Sequence, residues 1–129
     1  MTGLAPVLAI VFVGLLGALA ALQLLLIVGL PLGRFAWGGK QDRLSSRLRA
    51  AAGLSIVIYA VFAGIALAHA QVITTPVPNL IVVIAMWVIT AYLFLSVLPN
   101  LASKSIHEKR LMTPVSAVLA ILALLIALS

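Results

Sequence analysis

The residues able to do chemistry in this chain gather in two short stretches. Residues 31–49 hold five of the eight lysines and arginines, one of the two acids and three of the nine glycines. Within them Arg34 and Trp37 flank a turn through Gly38 and Gly39. Arginine makes bidentate contacts with phosphate, tryptophan settles at the depth of lipid headgroups, and paired glycines permit positive φ and close backbone approach. Arg47 and Arg49 follow, at the start of the next apolar run. The second stretch supplies Asn100, Ser103, Ser105 and Glu108, and Glu108 is a candidate to pair with Arg34 or Arg49. Such a set can recognise a lipid headgroup, an anion or a partner protein. A plainer reading stands beside it, in which the cations only set orientation and their long side chains reach out to the interface.

Other chemistry finds little support. There is no cysteine, so disulfides, thiolate catalysis and cysteine metal sites are excluded. The glycines lack Walker spacing and follow no strand, which argues against nucleotide. His69 and His107 belong to opposite ends of the layout developed below and cannot share a metal. No Asp, Glu, Lys or Arg lies deep in an apolar run. Chains that bear a charge at mid-membrane generally use it for ion or proton pathways, so its absence counts against a proton-coupled pump and against a small multidrug antiporter. Beyond Glu108, His107 and the serines no catalytic constellation is visible. The expectation is a protein that is not an enzyme and carries no cofactor or metal.

The elements that must position these residues follow from composition. Hydrophobic residues make up 65% of the 129, charged residues 8%, and the mean hydropathy is +1.35. A soluble domain has about 25% charged residues, so this is the composition of an integral membrane protein. The formal charge of +6 is confined to loops between apolar runs, which favours anionic lipid over nucleic acid as counter-charge. Uncharged runs cover 4–30, 50–69, 80–98 and 111–128, a spanning helix needs about 20 such residues, and the expected spans are about 4–30, 48–69, 80–98 and 111–128. In hydrocarbon every backbone N–H and C=O must be paired within the segment, and nothing alternates at period two, so the runs are helices and not barrel strands. The expected fold is all-α: a polytopic membrane protein whose four transmembrane helices form one bundle across residues 1–129.

Orientation follows from charge. Both basic loops fall on one side, the 70–79 connection has no charge, and the positive-inside rule makes the basic side cytoplasmic. Both termini then face outward (N-out, C-out). Ala18-Leu-Ala20 looks like a signal cleavage site. However, no basic residue precedes the run and it continues to Leu30, so a retained first span is expected. Ser45 or Ser46 is placed to cap the second helix and Asn79 the third. Ser105 and Glu108 have capping-box spacing. The fourth helix either runs on from about Ser105 with a kink or restarts at Pro114. Leu30-Pro31 and Leu98-Pro99 recur at matching places in the two halves, which would fit a parallel duplication.

Small residues four apart let helices approach closely in lipid. Gly14/Ala18 and Gly17/Ala21 do so in the first run, Ala60/Gly64/Ala68 in the second, and Ser116/Ala120 in the fourth. They serve either packing within the bundle or a contact with another chain. The uncharged polar residues inside the runs include Gln23, Ser55, Tyr59, Thr90, Tyr92, Ser96 and Ser116, with Gln23 read as a packing residue.

Residues 31–39, 100–109 and Thr113-Pro114 together resemble a family of small bacterial four-helix integral membrane proteins with a Gly-Arg-x-Ala-Trp-Gly-Gly loop. The resemblance implies the four-span layout and the bacterial inner membrane, and implies no reaction. Taken together, the sequence favours a non-enzymatic accessory or scaffold subunit. It would hold anionic lipid through Arg34, Trp37, Arg47 and Arg49, and dock its own copies or a larger membrane complex. A small transporter or channel that forms its pathway as an oligomer is the alternative.

Overall fold

The computed structural model describes residues 3–36 and 45–129, the side chain of Arg34 apart. Four long helices carry the chain: α1 (Ala5–Ile27), α2 (Ser46–His69), α3 (Asn79–Leu101) and α4 (Ile106–Leu128). A single 3-10 turn, Gly33–Phe35, follows α1. Among the described residues there is no strand. Helices of 23 or 24 residues reach about 35 Å at 1.5 Å per residue, enough for a hydrocarbon core of about 30 Å. The protein is a four-helix membrane bundle.

The helix ends are made locally. Ser45 caps α2 by accepting the Leu48 N–H at 3.4 Å, and Ser105 caps α4 by accepting the Glu108 N–H at 3.3 Å. α1 closes in a Schellman motif: the Leu30 N–H reaches Leu25 O at 3.1 Å, and the Gly29 N–H reaches Leu26 O at 3.2 Å. This geometry needs a left-handed residue, and Gly29 has φ +100°. α2 closes the same way through Val72 to Leu67 and Gln71 to Ala68, but here the left-handed residue is Gln71, at φ 62°. A residue with a Cβ is strained by about 1–2 kcal/mol in that region. Gln71→Gly should therefore raise the thermal midpoint, by no more than about 1 kcal/mol of stability because glycine also loosens the unfolded chain.

Two boundaries differ from the sequence expectation. Asn79 does not cap α3: Pro78 holds the N-cap position with extended ψ, and its carbonyl accepts from Ile81 and Val82. Proline before a helix already has the φ that the cap requires, which moves Asn79 into the first turn. α3 also continues through Pro99 to Leu101, and α4 is one helix from Ile106 with Pro114 inside it. Each proline sits near a helix end, so the carbonyl it leaves unpaired, on Leu95 or Arg110, falls within two turns of the terminus.

α1 packs most extensively against α2, and α3 against α4; the two hairpins then close on each other. Phe12, Leu16, Met86, Leu119 and Ile126 form the large core side chains. Ala9, Ala66, Ala120 and Ala123 are fully buried between them and let the backbones approach. The buried stripe of α1 runs through Ala5, Ala9, Phe12, Leu16, Gln23 and Leu26. Gly14 and Gly17 turn away from it at 100° per residue and are exposed, with no atom within 4 Å of a Cβ added at either. Ala60 is exposed, and Gly64 is half-buried with similar open space. Of the small-residue pairs, Ser116/Ala120 lies inside the bundle, whereas the α1 pairs face outward.

Candidate functional site

One end of the bundle gathers the C-termini of α1 and α3 and the N-termini of α2 and α4. A small apolar cluster of Leu26, Ala36 and Ala52, backed by Leu22, Leu32 and Leu48, fixes the segment after α1 against α2 at this end. The 3-10 turn then rests on α4: the Phe35 and His107 rings meet edge to face, with centroids 5.6 Å apart and planes at 66°. The segment that follows α1 and the start of α4 thus come together.

The expected site residues take different places at this end. Arg47 and Arg49 lie in the first turn of α2 and are exposed. The Arg49 guanidinium folds back over the end of α1, with its Nη2 3.3 Å from where a Cβ on Gly29 would be. There it meets the negative end of that helix's dipole. Lys104, Lys109 and Arg110 are exposed around the start of α4. Ser103 and Ser105 shape the turn between α3 and α4, with the Ser105 N–H donating to Ser103 Oγ at 3.2 Å. Glu108 is buried, with 7% of its surface exposed, and turns inward from the first turn of α4. Trp37, Gly38, Gly39 and the Arg34 side chain lie outside the described residues.

Beneath this rim a pocket of about 330 Å³ enters the bundle. Phe35, Ala36, Asn100 and Glu108 line its outer part. Gln23 of α1, Ser55 and Tyr59 of α2, Tyr92 and Ser96 of α3 and Ser116 of α4 line the remainder, with Leu19, Leu93, Met112, Val115 and Leu119 between them. Along α4 the lining runs from Glu108 to Leu119, which is about 16 Å and close to half the membrane. The Gln23 amide and the Tyr59 phenol are hydrogen-bonded across α1 and α2. Tyr92 is more than half exposed and meets Phe62 edge to face at 5.6 Å, so the pocket's open side lies between α2 and α3.

Six uncharged polar residues of the apolar runs therefore converge on one cavity. Thr90 is buried elsewhere and donates its hydroxyl to Met86 O at 2.8 Å. Sequence reasoning took these residues one at a time and missed the convergence. A signal was present: all six lie in the half of their run that adjoins a basic loop. Among the described residues no three of His, Cys, Asp and Glu stand close enough to hold a metal. Comparison with protein-family models, curated proteins and solved structures finds no significant match to this chain.

Proposed function

We propose that this is a non-enzymatic accessory protein of the bacterial inner membrane, whose basic end faces the cytoplasm and binds anionic lipid headgroups. The observation that carries the reading is the one-sided charge. Arg47, Arg49, Lys104, Lys109 and Arg110 are all exposed at one end, while the opposite connection is uncharged over 70–79 and exposed over 71–79. Each cation near an anionic membrane surface contributes about 1 kcal/mol, so five on one rim form a strong collective anchor. The rim would hold phosphate directly at Arg47, with Arg34 and Trp37 the further contacts that the sequence suggests. The outward face of Gly14 and Gly17 offers a second helix, from another copy or a larger complex, a close approach.

The test is lipid retention by native mass spectrometry. Arg47→Ala combined with Lys104→Ala should reduce retained phosphatidylglycerol about thirtyfold, for two contacts of about 1 kcal/mol each, with helicity unchanged. Equal retention by wild type and variant would remove the lipid role. One observation favours a second reading, an oligomeric transporter: the pocket carries polar groups to mid-membrane depth. Flux in liposomes would support that alternative.

A further inference from the structure

The pocket's hydrogen-bonding inventory limits what it can hold. A serine hydroxyl has one donor and two lone pairs. The three serines spend that donor on their own helices: Ser55 on Ala51 O at 3.1 Å, Ser96 on Leu93 O at 2.6 Å, and Ser116 on Thr113 O at 3.1 Å. Asn100 likewise directs its Nδ2 to Ser96 O at 3.1 Å, leaving its Oδ1 as an acceptor. What these groups offer to the cavity is mainly lone pairs, while the Tyr59 and Tyr92 hydroxyls and the Gln23 amide line it as donors. Glu108 adds a carboxylate, whose two oxygens provide about four acceptor positions and so retain capacity when a neighbour also donates to them.

The outer part of the cavity, around Glu108, Asn100 and Ser96, is rich in acceptors and suits a guest rich in donors, because unmet polar groups in a membrane interior cost free energy. The carboxylate selects a cationic donor over a neutral one. Tyr59 and Tyr92 line the same cavity, and aromatic rings attract cations. The opening between α2 and α3 faces lipid, and the apolar lining suits a hydrocarbon stem. We infer that the pocket binds the primary ammonium group of an amphiphilic amine, which enters sideways from the bilayer while its chain stays between α2 and α3. The guest's three N–H donors meet Glu108, Asn100 and Ser96, which lies one turn from Asn100 on α3. At about 330 Å³ the space is near the lower limit for a small-molecule site and suits an amine head with a short stem. The site is separate from the anionic-lipid rim: it uses acceptors where the rim uses cations.

The experiment titrates the full chain, in detergent, with dodecylammonium and with neutral N-dodecylacetamide, using calorimetry. The ammonium should bind saturably and the acetamide about tenfold more weakly, since a hydrogen bond to a charged group is worth about 1.5–3 kcal/mol. Glu108→Gln should weaken the ammonium to the level of the acetamide. Ser96→Leu fills the cavity from α3 without touching the carboxylate and should abolish binding, so it decides the matter if Glu108→Gln fails to fold. Arg47→Ala should leave amine binding unchanged, which separates this site from the rim. Equal binding of the two probes, or unchanged binding in Ser96→Leu, overturns the inference. Two sources of the ammonium are then distinguished in nanodiscs. Retention of phosphatidylethanolamine over phosphatidylcholine by wild type but not by Ser96→Leu makes a lipid headgroup the guest. No such preference, with dodecylammonium still bound, makes it a free amine.

Discussion

Ala120→Leu should destabilise the bundle by about 1–3 kcal/mol, while Gly17→Leu on the opposite kind of surface should leave the isolated chain unchanged or slightly more stable. Ala120 is fully buried, in the core cluster that also holds Ala9, Ala66, Ala123, Met86 and Leu119. Membrane helices gain nothing from excluding lipid tails as such, so close van der Waals contact between α3 and α4 is a main source of attraction. A leucine at this position pushes the backbones apart and removes many of those contacts at once. Gly17 has no atom within 4 Å of an added Cβ, so a larger side chain there meets only the surroundings of the bundle. Leucine also has about 1 kcal/mol better helix propensity than glycine. Unfolding in a graded anionic detergent, followed by helicity, measures both. If Gly17→Leu proves as damaging as Ala120→Leu, the outward glycine face is covered by a second chain, and a native mass spectrum of wild type should show the oligomer.

The same pair of residues shows how far the sequence could be read. The number of helices and their type follow directly from uncharged runs that must pair their backbones internally. The serine caps at Ser45 and Ser105 were legible too, because capping is a short-range matter. Which face of each helix turns inward was not. In water an apolar stripe marks the core; in lipid the outside is as apolar as the inside, and no stripe distinguishes Ala120 from Gly17. Small-residue spacing identifies a face able to approach another helix without saying whose helix it is. Polar residues carry the information that hydrophobicity lacks: Gln23 and Ser116 are buried in the bundle, since a lipid-facing amide would be left without partners. The pocket needed all four helices in place, because its lining residues are drawn from positions 19 to 119. Glu108 was legible as part of a capping box, but its inward direction depends on the fold of α4 against the segment that follows α1.

A cysteine at position 75 should react with a membrane-impermeant maleimide on intact cells, and a cysteine at position 104 should react only after the membrane is opened. The prediction is close to all-or-none and tests the orientation on which the lipid reading rests. Thr75 lies in the exposed, uncharged connection between α2 and α3, and Lys104 in the exposed turn between α3 and α4. α3 separates them by a full span, so the fold alone requires opposite compartments. Charge then chooses which is which. Holding the basic loops on the cytoplasmic side follows the bias of lysine and arginine in short loops. Reversal of the pattern, with position 104 reactive outside, would keep the four-helix bundle and discard the cytoplasmic lipid rim. Reactivity of both positions from the same side would contradict the fold as well. The native sequence has no cysteine, so each single replacement gives an unambiguous signal without removing any other residue. Neutralising Lys104, Lys109 and Arg110 together should leave the labelling pattern in place. The five cations of residues 31–49 then still mark that side and outnumber the three removed.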